Sequence, residues 1–555
     1  MKSIAAATLA GVALAAAVFG VAGCSKIGTS TAPGGAVPGT VPGVLRYDNI
    51  EEPSNMNPLL RAEAASSDVD MFVMGFFYNY DSDMHVIPEL ATDVPSRQNG
   101  GISKDGLTIT YHLRKGVKWQ DGAPFTARDV IFTWHAIMNP KNNVESRNGY
   151  DQITSIDAVG DYEVKVHLKK IYGPALATFF AFGGLVPVLP AHLLEKDNAS
   201  GDLNHVPFNT HPVGTGPFKF VQWLHGDRIE LEANPNYWRG APKLKRIIYR
   251  IVADDNTILV QLKTHETDAW FRAPSALYPQ LQVLPQAGYH VQLEPSFAYS
   301  HLDLNMKNPL FQDLRVRQAI KYAIDFQEII RDVTHGTGMP AQAEVAPFSW
   351  AYNKDAPWFH YDPVKAAALL TQAGWILGPD GTRSKNGQKL AFTLSAVTGG
   401  KSGEETEAIL QQAFRKIGIA VTIKNYPASL FFATMGGGGI LQSGKYDAAL
   451  YAWVESIDPD DNSLFTTSQI PPNGQNSLFW SDPVIDRAEA GQLSSYDQSV
   501  RKKYFAQIQD EVASQCVTDT LYFNRYAYVW STGLTGFKPA PAGTSNYNTW
   551  EWEMQ

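Results

Sequence analysis

Val117–Trp134 reads VKWQDGAPFTARDVIFTW, the punctuation of a strand, a tight turn and a capped helix. Trp119-Gln120-Asp121-Gly122 supplies the turn, since aspartate and glycine favour the backbone angles a reversal needs. Thr126 stands where a helix cap belongs and Asp129 completes a capping box. Val130, Trp134, Ile137 and Met138 then fall on one helical face. Asn139-Pro140 stops the helix, because a proline disfavours helical backbone in the residue before it.

The same alternation continues outward. Leu107–Leu113 (LTITYHL), Glu163–Leu168 (EVKVHL) and Ile229–Leu231 alternate as half-buried strands. A helical block runs from Asp313 to about His335, with Val316, Ala319, Ile320 and Ala323 on one stripe. Asp325 and Glu328 form a second capping box inside it and predict a break there. A third helix opens at Asp362-Pro363 and closes at Gly374. A fourth covers about Glu404 to Lys416, before a strand from Ala420 to Lys424. The last spans about Ser499 to Ser514. Gly436–Gly439 is expected to be a loop. Strands alternating with helices define an α/β chain.

The N-terminal end has another character. After Lys2 an uncharged, mostly apolar run extends from Ile4 to Ala22 and ends at Gly23-Cys24. A basic start, an apolar run and small residues before a cut site form a secretory signal. Val21-Ala22-Gly23-Cys24 resembles the bacterial lipobox, which implies cleavage before Cys24 and lipid on its sulfur. Residues 1–23 are then the signal peptide. Residues 24–43, rich in Gly, Pro, Ser and Thr, are a flexible tether. Folded structure is expected from about Val44.

The net charge of −9 is mild and well mixed along the 555 residues, so it points to no nucleic-acid partner. With Cys24 acylated, Cys516 has no disulfide partner. Stability then rests on the size of the core, which this length can supply.

Motifs of catalysis are incomplete. Ser395–Ser402 (SAVTGGKS) lacks the first glycine of a phosphate loop. Asp458-Pro459-Asp460-Asp461-Asn462 begins like a calcium loop, but Ser463 and Gln469 stand where glycine and glutamate belong. No G-x-S-x-G or H-E-x-x-H occurs. The expectation is no catalytic residue, no metal site and no cofactor.

Five stretches in order resemble the family 5 extracellular solute-binding proteins, the dipeptide- and oligopeptide-binding components of ABC importers. They are Val117–Trp134, Val213–Trp238 (VGTGPFKFVQWLHGDRIELEANPNYW), Leu302–Ile324 (LDLNMKNPLFQDLRVRQAIKYAI), Tyr361–Trp375 (YDPVKAAALLTQAGW) and Tyr446–Asn462 (YDAALYAWVESIDPDDN). The resemblance implies a periplasmic-binding-protein-like fold: two α/β lobes around a ligand cleft, a two-stranded hinge and an extra third domain. It places lobe I at 44–84, 205–293 and 508–555, the extra domain at 85–204, and lobe II at 294–507. The hinge strands would cross near 293 and 507. It implies an exported, membrane-anchored monomer, facing the periplasm or cell exterior, that captures a small peptide and delivers it to ABC permease subunits. The alternatives are a non-peptide solute such as a metal chelate, sugar or opine-like compound, or a cleft hydrolase.

Peptide binders of that family hold the ligand's amine with an aspartate three residues after a tryptophan. After Trp453 that position is Ser456, so Glu455 or Asp458 is the substitute, or the ligand offers no amine there. Trp453 is flat and suited to stacking on a ligand. Tyr150, Tyr299 and Asn305 lie on segments that reach the cleft in peptide binders, and Trp270 and Tyr451 complete the candidate set. Arg315 and Arg317 are expected in structural ion pairs. Substituting Cys24→Ala is expected to abolish incorporation of labelled fatty acid and release the protein from the membrane fraction. Persistent labelling would reject the lipobox reading.

Overall fold

The computed structural model describes residues 39–60 and 64–555; the leader, Cys24 and the start of the tether lie outside them. A ten-stranded mixed sheet runs through the molecule. At one end the parallel strands Ala420–Ile423, Ala391–Ser395 and Ala448–Val454 lie side by side. At the other, Phe218–Leu224, Arg228–Ala233 and Arg246–Ile251 form an antiparallel meander, and Val44–Asn49 and Ala269–Ala273 follow in parallel. Two long antiparallel strands, Tyr289–Leu304 and Thr518–Ser531, join the two ends.

Two cores flank this junction. One gathers Leu45, Phe72, Phe77, Trp119, Val166, Ile247, Phe271 and Trp552. The other gathers Leu302, Leu304, Val316, Ile320, Leu370, Leu394, Phe414 and Leu450. The long strands give Tyr528 and Trp530 to the first and Leu302, Leu304, Leu521 and Tyr522 to the second. Their pairing slips between Pro295 and Tyr299 and again between Ser300 and His301. Such irregularities bend and twist a ladder, so the strands change direction where they pass from one core to the other. The first passage contains position 293. Position 507 falls inside the unbroken helix Gln498–Gln515, and the return passage is carried by Thr518–Ser531.

Most of the punctuation predicted from sequence is realised. Thr126 precedes the helix Ala127–Met138, and Asp129 accepts the Thr126 N–H at 2.9 Å and the Ala191 N–H at 2.9 Å. The block after Asp313 is broken at Asp325 into Leu314–Ala323 and Phe326–Asp332. Asp362 caps Pro363–Gln372. The strands Thr108–His112, Glu163–Leu168 and Ile153–Ala158 form a separate antiparallel sheet packed on the first core. The tether is not free up to Val44: Thr40 Oγ1 donates to Gln555 O at 3.0 Å and Gly43 N to Met554 O at 3.0 Å. The C-terminal strand thus holds the chain before the first sheet strand begins.

Gln120 joins two of the five motif stretches. Its Oε1 accepts the Gly214 N–H at 3.0 Å, and its Nε2 donates to Phe218 O at 2.7 Å and Val73 O at 3.1 Å. The two glycines of the Gly214–Pro217 turn are required by space and not by dihedral. A Cβ on Gly214 would lie 1.8 Å from Val73 O, and one on Gly216 2.7 Å from Met74 O. Gly214→Ala must therefore push the helix end at Val73 away. Overpacking of this kind costs roughly 1–3 kcal/mol or more. A clear fall in the thermal midpoint is expected, and an unchanged midpoint would show that this turn tolerates displacement.

Candidate functional site

A cavity of about 900 Å³ opens between two walls that are far apart in sequence. That is within the roughly 300–1,000 Å³ of ligand pockets. Tyr78, Tyr80, Pro95, Ser96 and Arg97 with Leu176 and Ala177 form one wall. Phe297, Phe348, Trp350, Ile457, Asp458, Tyr496 and Arg501 form the other. Along one rim the walls are in direct contact. Gly173 N donates to Leu493 O at 2.8 Å, and Tyr496 OH to Gly106 O at 2.9 Å. Phe297 lies on the first long strand at the irregular stretch, and Phe348 packs on it, tilted by 36°, with ring centres 4.7 Å apart.

Of the residues singled out from sequence, Asp458 reaches this cavity. Its carboxylate is already matched: Arg501 Nη1 and Nη2 donate to its two oxygens at 2.5 and 2.6 Å. Arg501 is 2% exposed and also donates to Gln492 O at 3.1 Å and Gln492 Oε1 at 2.8 Å. Its guanidinium lies 5.3 Å from the Trp350 ring centre. Ser456 hydrogen-bonds to the Asp458 carbonyl.

Glu455 is buried beside this pair, and neither of its oxygens has a hydrogen-bond partner. Glu344 is in the same condition, and Asp461 and Glu489 each keep one unpartnered oxygen. Burial raises the pKa of Glu455, offset in part by a hydrogen bond from a protonated Asp461 and reinforced by Glu344, Asp458 and Glu489. Burial and then neighbouring carboxyls raise Asp461 and Glu489, whereas Lys321 partly offsets burial at Glu344. Asp460 is pushed up to about 6 by burial and by Asp458. Each folded-state value lies above the unfolded one. These groups therefore take up protons on folding, and ionising them as pH rises opposes the fold.

Tyr299, Tyr451 and Trp453 meet elsewhere, around a small pocket of about 20 Å³ shared with His301, Asp303 and Ser477. Tyr299 pairs with Trp453 across the strands. Tyr451 OH donates to Asp303 Oδ2 at 2.6 Å, and His301 Nδ1 lies 2.8 Å from Asp303 Oδ1. The other three candidates are not brought to the cavity. Tyr150 is in the first core, its hydroxyl accepting Phe180 N–H at 2.8 Å. Trp270 packs in a core with Ile258, Leu262 and Tyr289. Asn305 donates to Tyr446 O at 2.7 Å and accepts Lys307 N–H at 3.0 Å, fixing a turn. Arg315 pairs with Asp313 as expected, at 2.6 Å. Arg317 is bound by carbonyls, donating to Gln515 O at 2.6 Å and Phe311 O at 2.7 Å.

Arg501 was legible in principle. It stands on the stripe Arg501, Phe505, Ile508 and Val512 of its helix, all buried, and a charge on an apolar stripe calls for a buried partner. Phe348 and Trp350 lie outside any strand or helix, where no periodicity marks them. Cys516 is buried, and burial pushes its thiol up to about 12. Asp81, Asp83 and His85 bring three ligand-type atoms within 4.8 Å, but the Asp81 Oδ1 already accepts the Asp83 and His85 N–H groups.

A two-core α/β fold with a cavity between distant parts of the chain fits a solute-binding protein with two lobes. The family model for the bacterial extracellular solute-binding proteins, family 5 middle region, matches residues 85–475, and the chain belongs to that family. It is 31% identical over 518 residues to the oligopeptide-binding protein AppA of Bacillus subtilis, covering 92% of this chain and 91% of AppA. It is 30% identical over 497 residues to the glutathione-binding protein GsiB of Pectobacterium atrosepticum, covering 88% and 89%. The structure of Bacillus subtilis AppA with a nonapeptide matches with a TM-score of 0.75 at 29% identity, over 92% of this chain and 99% of that one. That of NikZ from Campylobacter jejuni with Ni(L-His) matches with 0.77 at 29%, over 92% and 100%.

Replacing Arg501 by methionine leaves Asp458 buried among carboxyls with no cation. Removing one partner of a buried pair costs about 3–5 kcal/mol. A loss of that size is expected in denaturant unfolding of Arg501→Met; a loss below about 1 kcal/mol, as for an exposed pair, would show that the pair is solvated.

Proposed function

We propose that this protein captures short peptides outside the cytoplasm and hands them, enclosed, to the membrane subunits of an ABC importer. The observation that carries this reading is the cavity of about 900 Å³ whose walls come from residues 78–177 on one side and 297–501 on the other. A ligand touching both walls favours the conformation in which they are close. The aromatic lining suits chemically varied side chains, because ring faces and edges make contacts without demanding one partner. AppA, crystallised with a nonapeptide, shares the fold and about three residues in ten.

In this reading the protein binds without turnover and acts as a monomer. Lipid on Cys24 anchors it, and residues 24–38 give the lobes reach from the membrane surface. The lobes follow the bounds expected from sequence, with 85–204 as the extra domain, except that the chain returns to the first lobe along Thr518–Ser531 and not at 507. Tyr299, Tyr451 and Trp453 line a separate small pocket on the same lobe and support the cleft from behind. Among the described residues no helix is long and apolar enough to cross a membrane. The second reading is a metal chelate, favoured by the equally good match to NikZ.

Native mass spectrometry of the purified mature chain separates these readings. The expected result is a set of adducts that denaturation releases as short peptides. Release of a metal with an amino-acid ligand would establish the second reading, and cleavage of added peptides would establish an enzyme.

A further inference from the structure

We propose that the cavity takes peptides without pairing their terminal amine to a buried carboxylate, so that N-blocked peptides are ligands on nearly equal terms with free ones. This rests on the peptide reading above and specifies its ligand class. An anion holds an ammonium tightly where water is excluded from both; in exposed pairs solvent screening removes most of the attraction.

The cavity wall carries three carboxylates, Asp83, Asp458 and Asp497. Only Asp458 is buried, at 8% exposure, and both its oxygens are held by Arg501 at 2.5 and 2.6 Å. An incoming ammonium would meet a neutral pair there, with a guanidinium already in its place. Gln492 fixes that guanidinium from a second side, so the pair is not free to open. Asp497 is exposed and spends Oδ1 on the Ser499 N–H at 2.8 Å, capping the helix Gln498–Gln515. Asp83 is exposed at the rim.

Glu455 is the remaining rival. It is 6% exposed and does not line the cavity. Burial, with the acids Glu344, Asp458 and Glu489 nearby, favours its protonated form, and a hydrogen bond from a protonated Asp461 offsets this only in part. A neutral carboxyl offers an ammonium an acceptor but no charge. What the walls do offer is apolar and aromatic area, from Tyr78, Tyr80, Phe297, Phe348 and Trp350. None of that depends on the state of a terminus.

The test uses the mature chain and one randomised pentapeptide library, half with free and half with N-acetylated termini, mixed in equal amounts. Retained peptides are counted by mass spectrometry. An exposed carboxylate is worth at most about fivefold in affinity, so acetylated forms are expected within about fivefold of their free counterparts. Depletion beyond fivefold would overturn the proposal. Glu455→Gln, checked for native circular dichroism, is expected to leave the ratio unchanged. A low ratio in the parent that rises towards one in Glu455→Gln would make Glu455 the anchor, overturning the proposal while keeping the peptide reading. Retention of neither form would remove the peptide reading and this inference together.

Discussion

One strand belongs to both cores at once, with a second paired along its length, and that sharing constrains everything else. Thr518–Ser531 buries Tyr528 and Trp530 in the first core and Leu521 and Tyr522 in the second. Tyr289–Leu304, paired along it, buries Leu302 and Leu304 in the second core and Tyr289 in a neighbouring core with Trp270 and Val529. Neither core can form without fixing the backbone that enters the other. The pairing is irregular only in the middle, between Pro295 and His301. A regular ladder resists bending, whereas a bulged one bends locally. The bend between the cores is therefore set by the register of two strands, and Phe297 of the cavity wall sits within it.

The second lobe carries an electrostatic imbalance beside the cavity. Glu344, Glu455, Asp461 and Glu489 are buried with unpartnered oxygens, and Arg501 is committed to Asp458. Lys321 pairs with Asp519 at 3.2 Å. Buried carboxylates without cations are costly enough that they retain protons instead. The loop after Trp453 is consequently held by neutral carboxyls and one strong ion pair, and the strands beneath it supply the rigidity. This explains how a sequence dense in acids, ESIDPDDN, forms the inner face of a binding lobe without repelling itself apart.

Much of the fold was legible because its signals are local. Asp129, Asp325 and Asp362 announce helix starts through hydrogen bonds to residues within four positions, and the structure realises each. The five motif stretches fixed the family for a similar reason: they are turns and caps whose residues are required by backbone geometry. The site was less legible because its chemistry is set by partners far away in sequence. Asp458 looked like a free acid until Arg501, forty-three positions on, was placed against it. Asn305, Tyr150 and Trp270 had the right residue types, but their side chains are turned to carbonyls or core. Phe348 and Trp350 lie on an irregular segment that no periodicity describes.

The rim contacts bear on how such a cavity can both discriminate and release. Gly173 N–H to Leu493 O, between backbones, and the Tyr496 side-chain OH to Gly106 O join the walls. A Cβ on Gly173 would lie 2.6 Å from Ser495 O, so the approach exists because residue 173 has no side chain. These bonds form whatever the cavity holds, and therefore favour the enclosed arrangement equally for every ligand. Each is a single neutral hydrogen bond, worth about 0.5–1.5 kcal/mol net, too little together to hold the lobes shut against a strong opposing bias. A ligand shifts the balance by the difference between its contacts in the two arrangements and by nothing else. Selectivity must then come from the apolar walls, where only a ligand that fills the space between Tyr80 and Phe348 recovers the contacts that an empty cavity leaves unmade.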